Sequence, residues 1–97
     1  MSAYVIVDME VTHSQAIMDY RQLAEASVHQ YGGRFVVRGG KSEKLEGNWN
    51  PPRIVVLEFP TVDQARTWWS SKEYSEAKLV RNRATRYVNM VLVEGVA

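Results

Sequence analysis

Charged and polar side chains inside apolar strand segments are the residues best placed to do chemistry in this sequence. They are Asp8, Arg34, Arg38, Glu58 and Asn89. A charge within an apolar sheet is costly unless it is paired. On strict alternation Arg34 and Arg38 share one strand face, and a carboxylate–guanidinium pair with a neighbouring strand that carries Glu58 is geometrically reasonable. These residues form a structural salt bridge or are strand-end charges that reach solvent; alternatively, they form an arginine-lined recess that orients a carboxylate or enolate.

Two tyrosines on predicted helices, Tyr20 and Tyr74, could complete such a recess. A phenolic hydroxyl in a recess offers a hydrogen bond to a bound oxygen. The candidate ligand-binding residues are therefore Arg34, Arg38, Glu58, Tyr20 and Tyr74. The sequence assigns no catalytic residue.

Metal, cofactor and nucleic-acid sites have no support in the sequence. There is no cysteine, and the two histidines, His13 and His29, lie far apart with no carboxylate at ligand spacing. The paired glycines 32–33 and 39–40 bracket a strand, which is the wrong context for a phosphate loop. The basic residues between 78 and 86 end a helix, where cations are favoured anyway, and the net charge is only +1. We expect no metal, no cofactor and no nucleic-acid partner.

The first residues lack the charged segment, apolar run and cleavage site of an export signal. No stretch approaches the roughly 20 apolar residues that a membrane span needs. We therefore expect a cytoplasmic protein without a membrane partner. A length of 97 residues predicts a single domain over residues 1–97.

The elements that must position these side chains follow the order β-α-β-β-α-β. Strands are predicted at residues 3–9, 34–38, 53–59 and 86–94, with a continuation over 41–45 beyond a glycine bend. Capping pairs that mark helix starts are Thr12 with Gln15, Thr61 with Gln64, and Ser70 with Glu73. The last pair predicts that the second helix breaks near residues 70–71. This order predicts an α+β, ferredoxin-like fold with a four-stranded antiparallel sheet.

The predicted strands are apolar on both faces, whereas two helices can cover only one. The simplest cover for the second face is another copy of the chain. We expect an obligate homodimer joined through the sheet faces, burying more than roughly 2,000 Å² in total. Trp49, in the turn before the third strand, is expected to pack on the partner, with a ligand lid as the alternative. Trp68 and Trp69 cannot both face the sheet, since helix neighbours differ by about 100°.

Six segments spread over the whole chain resemble one known family. They are residues 3–8, 31–40, 45–47, 52–60, 71–74 and 91–95. The sequence they form is similar to the domain-of-unknown-function family 1330. That resemblance implies the dimeric α/β-barrel superfamily, whose members include cofactor-free monooxygenases, muconolactone isomerases, haem-binding enzymes and stress proteins, so the fold does not choose among them. His13 and Ser14 stand where the family suggests an Asp-Pro helix start, so a role for His13 would not be a family role.

Two functions remain open. The first is a small-molecule-binding homodimer that runs cofactor-independent chemistry on a small carbonyl or phenolic metabolite, with an anionic or carbonyl ligand as partner. The second is a non-catalytic dimer that acts as a binding or stress-associated module. A partly polar cavity between helices and sheet that contains Arg38 or Glu58 favours the first, and a filled core favours the second.

Overall fold

The computed structural model describes residues 1–96, in which one antiparallel sheet carries three helices. The elements are β1 (Ala3–Val11), α1 (Ser14–Gln30), β2 (Arg34–Arg38), β3 (Ile54–Phe59), α2 (Val62–Ser70), α3 (Lys72–Ala84) and β4 (Thr85–Glu94). The strands lie in the order β2-β3-β1-β4, and every neighbouring pair is antiparallel. This arrangement confirms the predicted ferredoxin-like α+β fold, with the second predicted helix divided into α2 and α3.

Helix α1 begins later than its predicted capping pair. Its N-cap is His13, which makes no side-chain cap, and the Thr12 hydroxyl contacts the His13 ring Nδ1 at 2.9 Å instead. The backbone N–H groups of Thr12 and His13 both donate to the carbonyl of Ala84, so tertiary pairing extends β1 and delays the helix. The predicted pairing of Thr12 with Gln15 is therefore wrong.

Of the other two capping predictions, one is confirmed and the other names the wrong serine. The Thr61 hydroxyl accepts a hydrogen bond from the Gln64 backbone N–H at 3.1 Å, as predicted. The break between α2 and α3 is also confirmed, but its capping residue is Ser71, whose hydroxyl accepts from the N–H of Tyr74. Ser70 was the wrong serine because its hydroxyl donates back to the carbonyl of Arg66 within α2.

The predicted strand continuation over residues 41–45 is wrong. Gly39 has a φ of +78°, which suits glycine, and it turns the chain away from the sheet. Residues 39–53 then form a loop, and 41–45 within it are exposed. Arg38 pairs with Val55, and β3 begins at Ile54, so almost no part of β3 is left beyond Arg38 for a continuation of β2 to pair with.

The helices cover one face of the sheet, here called the inner face, and the core lies between. Trp68 is its centre: its ring lies 4.1 Å from that of Tyr74 and 5.2 Å from that of Phe59, and its Nε1 donates to the Ser27 hydroxyl at 3.0 Å. Trp69 is 50% exposed and has the Lys78 ammonium 3.7 Å from its ring centre. The two tryptophans thus point in different directions, as predicted.

The opposite, outer face of the sheet is also apolar and carries no helix. Its exposed apolar side chains include Val36, Val37, Val91 and Val93. Part of it is covered by the 39–53 loop, from which Trp49 Nε1 donates to Asp8 Oδ2 at 3.2 Å. The predicted two-sided apolar pattern is confirmed. Within residues 1–96, no helix combines the length and the apolar character needed to cross a membrane.

Candidate functional site

A β-bulge in β2 decides which arginine faces which side of the sheet. Arg34 pairs with Glu58 and Phe35 with Leu57, but Val37 pairs with Val56, so Val36 is the extra residue. Arg38 then lies opposite Val55, whose side chain is buried on the inner face. Arg34 and Arg38 therefore lie on opposite faces, and the prediction that they share one is wrong.

The outer-face charges form a pair. Arg34 Nη2 lies 2.6 Å from Glu58 Oε1, and its Nε donates to the same oxygen at 2.8 Å. The Tyr4 hydroxyl also donates to Glu58, at 3.3 Å. Hydrogen bonds from Ser2 and Arg34 lower the pKa of Glu58 below its usual value. The predicted pairing of a β2 arginine with Glu58 is confirmed, and the arginine is Arg34.

The inner-face arginine, Arg38, is bonded elsewhere. Its Nη1 donates to Glu25 of α1 at 3.1 Å, and its guanidinium lies 4.3 Å from the centre of the Phe35 ring. About 41% of its side chain is exposed. Arg38 is therefore held loosely at the surface edge of the helix–sheet interface and does not contact Glu58.

A narrow cavity opens beside Arg38 between the helices and the inner face. Its volume is about 30 Å³, enough for one or two water molecules. Most of its wall is apolar, formed by residues such as Val7, Met9, Leu57 and Met90. Arg38, Tyr20 and Tyr74 also line it, so the structure brings together three of the five candidate residues. Arg34 and Glu58 lie on the other side of the sheet.

Three arginines surround this cavity. Arg21 and Arg53 line it together with Arg38. Burial lowers the pKa of Arg53, and the neighbouring charges of Arg21 and Arg38 lower it further, while Tyr20 acts in the opposite direction. A guanidinium stays charged despite such a shift. The cavity is consequently rimmed by positive charge, with Glu25 as the carboxylate paired to Arg38.

Two tyrosines that line the cavity belong to a chain of three buried polar side chains. The hydroxyls of Tyr20 and Tyr74 lie 2.8 Å apart, and Arg81 Nη1 donates to the Tyr74 hydroxyl at 3.1 Å. Burial raises the pKa of both tyrosines, and Arg81 opposes that rise. Both phenols therefore stay protonated near neutral pH. They can donate hydrogen bonds to a ligand, but they cannot serve as bases there.

Sequence reasoning missed the contribution of Arg21, Arg53 and Arg81. One signal was available for Arg81: it lies seven residues after Tyr74 on α3, and the buried positions of that helix are Tyr74, Ala77, Arg81 and Ala84. That spacing places Arg81 on the core side of the helix. Arg53 and Arg21 carry no comparable pattern, because only the packing of α1 against β3 brings them together.

Other groups of polar side chains are less suited to a ligand. In the described part of the chain, His, Cys, Asp and Glu form no group of three or more that could hold a metal. Both histidines are exposed. A shallow groove of about 680 Å³ lies under the 39–53 loop on the outer face, against Ile6 and Ile54, and is open to solvent. The cavity rimmed by arginines is therefore the best candidate site.

Comparison with known proteins gives a family and a fold. The model of a family described as "Domain of unknown function (DUF1330)" matches residues 2–96. No curated protein matches the chain. Among solved structures, a Rhodopseudomonas palustris protein of unknown function has a TM-score of 0.78 at 15% identity, covering 99% of this chain and 83% of that one.

Two further solved structures are similar over nearly the whole chain. A dimeric ferredoxin-like protein of unknown function from Jannaschia sp. has a TM-score of 0.74 at 12% identity, covering 98% of this chain and 100% of that one. A Nitrosomonas europaea protein is named only as a candidate antibiotic biosynthesis monooxygenase. It has a TM-score of 0.61 at 13% identity, covering 98% of this chain and 90% of that one. At such identities the similarity shows the fold alone.

Proposed function

The chain belongs to the DUF1330 family, and from that premise we propose that it is a homodimer that binds a small anionic metabolite in the arginine-rimmed cavity. The single observation that carries this proposal is the combination of Arg21, Arg38 and Arg53 at one apolar cavity that Tyr20 also lines. Guanidinium groups suit carboxylates, and an apolar wall suits a hydrocarbon or aromatic body. The expected ligand is therefore small, partly apolar and negatively charged.

The cavity must widen to admit such a ligand, since its present volume of about 30 Å³ holds only water. The wall most able to move is β2, an edge strand whose residues are mostly exposed. Arg38 is held there by one ion pair, whose two side chains are 41% and 47% exposed. Such exposed pairs contribute little to stability, so a ligand carboxylate can replace Glu25 as the partner of Arg38.

Dimerisation through the outer face is the second part of the proposal. Val91 and Val93 of β4 are 55% and 42% exposed, and Val36 and Val37 add apolar surface on β2. A broad apolar sheet face is unfavourable in water and marks an interaction surface. The Jannaschia protein with this fold is described as dimeric. A second copy of the chain offers the same surface and so matches it in shape and polarity.

A catalytic role is the alternative function, in the form of cofactor-independent chemistry on a small carbonyl or phenolic metabolite. The hydroxyl pair of Tyr20 and Tyr74 favours it, because donors in an apolar cavity stabilise a developing oxyanion. Among the described residues that line the cavity, none is a carboxylate or an imidazole. A non-catalytic binding role therefore agrees better with these side chains.

The first prediction tests binding with benzoate as the probe, measured by calorimetric titration. We expect benzoate to bind more tightly than its neutral analogue benzamide, because only benzoate can pair with the arginines. Arg38→Met should weaken benzoate binding at least tenfold while lowering the free energy of unfolding by less than about 1 kcal/mol, since its ion pair is largely exposed.

The matched control is Arg34→Met, which removes an arginine from the same strand but from the opposite sheet face. It should leave benzoate binding unchanged. Equal effects of the two variants, or benzoate binding that survives Arg38→Met intact, would refute the proposed site.

A further inference from the structure

Arg81 is a buried cation without a carboxylate partner. Its relative exposure is 9%, and none of the ion pairs among the described residues includes it. Its Nε and Nη2 donate to the side-chain oxygen of Asn82, and its Nη1 donates to the Tyr74 hydroxyl. A buried charge that is compensated only by neutral groups is costly to stability. It also exerts a strong field on its neighbours, because little water screens it.

The direction of the hydrogen bonds follows from the donors that each group has. A guanidinium has only donors, so the Tyr74 oxygen accepts from Arg81. The Tyr74 proton remains available, and the Tyr20 oxygen, 2.8 Å away, is the partner within reach. Tyr74 is fully buried, so its proton needs an acceptor, and the arrangement that satisfies it has Tyr20 accept that bond and keep its own proton free. Because Tyr20 lines the cavity, its free proton is available to an acceptor placed there.

We infer that Arg81, Tyr74 and Tyr20 form an oriented hydrogen-bond chain that binds the oxyanion of a phenolate or enolate ligand. This inference rests on the proposed function and names the ligand class for the same cavity. Tyr20 would donate directly to the ligand oxygen, while Tyr74 and Arg81 would act as positioning residues. Each donor in the chain polarises the next, which strengthens the final bond to a negative oxygen.

The orientation of the chain also predicts that an ionised ligand oxygen binds more tightly than a neutral one. A neutral hydroxyl on the ligand can accept the Tyr20 bond as well, but the ionised oxygen gains more from an aligned chain that ends in a buried cation. The rim arginines Arg21, Arg38 and Arg53 favour the ionised ligand too, and Glu25 disfavours it. A test must therefore separate the local hydrogen bond from the charge of the rim.

The probe is 4-nitrophenol, whose neutral and ionised forms have different absorption spectra. We expect binding to lower its apparent pKa by at least one unit, so that the phenolate binds about tenfold more tightly than the phenol. Tyr20→Phe should remove more than half of that shift and still bind the probe. This variant keeps the bond between Arg81 and Tyr74 and removes the bond between Tyr74 and Tyr20.

Three further variants complete the experiment. Arg38→Met tests the rim charge, and we expect it to weaken binding while keeping most of the pKa shift. Arg81→Met should reduce the shift, and its effect should be absent in the Tyr20→Phe background, because a positioning residue acts only through the group it positions. Arg34→Met, on the other sheet face, should change nothing. If Arg81→Met does not fold, the comparison of Tyr20→Phe with Arg38→Met decides alone.

The outcomes separate this inference from the proposed function. A shift that survives Tyr20→Phe but disappears in Arg38→Met would overturn the hydrogen-bond chain and assign the effect to the rim. Binding of benzoate without binding of 4-nitrophenol, or binding of both with no pKa shift, would also overturn it while leaving the anion site intact. Failure of both probes to bind would overturn the proposed function itself.

Discussion

The two faces of the sheet are similarly apolar but have different surroundings. On the inner face, Val5, Val7, Leu57 and Phe59 are buried under the three helices. On the outer face, residues of the same types, such as Val91 and Val93, remain substantially exposed. Hydrophobic residues are therefore no guide to which face belongs to the core of one chain. What distinguishes the faces is the covering: helices of the same chain on one, and the proposed second copy on the other.

The surroundings of the two faces also differ in how their charged side chains are paired. The outer face holds its arginine beside a carboxylate, Glu58, at 2.6 Å. The inner face places Arg38 at the cavity edge, and helix α3 above it holds the buried Arg81 against the neutral hydroxyl of Tyr74. A compensated pair is typical of architecture, whereas a buried cation without a carboxylate is costly and suits a site that binds negative charge.

We expect the largest loss of stability from a substitution in the core that packs on the inner face. Trp68→Ala should lower the free energy of unfolding by about 3–5 kcal/mol, because it leaves a cavity beside Phe59 and Tyr74 and removes a buried hydrogen bond to Ser27. Chemical denaturation measures this loss. Trp69→Ala is the matched control: its ring is 50% exposed and contacts Lys78, so it should cost about 1 kcal/mol or less. Similar losses for the two tryptophans would contradict the assignment of the core.

The next prediction concerns dimerisation through the outer face. Val91→Glu should weaken dimerisation at least 100-fold, equivalent to about 2.8 kcal/mol, because it buries a charge in the proposed interface. Light scattering should then show the 11.1 kDa monomer at micromolar concentration. Leu79→Glu is the control, since Leu79 is 62% exposed on α3, away from the outer face. A wild-type protein that is already monomeric would disprove the dimer.

The smallest effect that we expect is on the pH dependence of stability, through the outer-face carboxylate Glu58. Hydrogen bonds from Ser2 and Arg34 lower the pKa of Glu58 in the folded state. The ionised carboxylate therefore stabilises the fold at pH values above 4.5, the ordinary pKa of a glutamate. That contribution is lost as the pH falls below 4.5 and through the folded-state pKa. Glu58→Gln should therefore flatten the acid side of the stability profile, measured by denaturation at a series of pH values. Arg34→Met should flatten it less, since Ser2 remains. An unchanged acid slope in Glu58→Gln would contradict this role.

Much of the site could be anticipated because helix and strand periodicities are local. The spacing of Tyr20 and Tyr74 within their helices indicated candidate donors, and the structure places the two hydroxyls 2.8 Å apart. Their contact joins residues 54 positions apart, and only the packing of α1 on α3 creates it. The spacing of Arg81 from Tyr74 would have extended the prediction by one residue, since both fall on the same side of α3.

Local sequence patterns suffice to predict the order of the elements, the ferredoxin-like topology and the apolar character of both sheet faces. Each of these depends on patterns within a few residues, and those patterns survive folding. The tertiary structure decided on which face Arg38 lies, because the extra residue Val36 is defined only by the pairing of β2 with β3. Since a strand alternates with a period of two, one inserted residue reverses every side chain beyond it. That reversal moves Arg38 from the side of Glu58 to the cavity of Tyr20 and Tyr74.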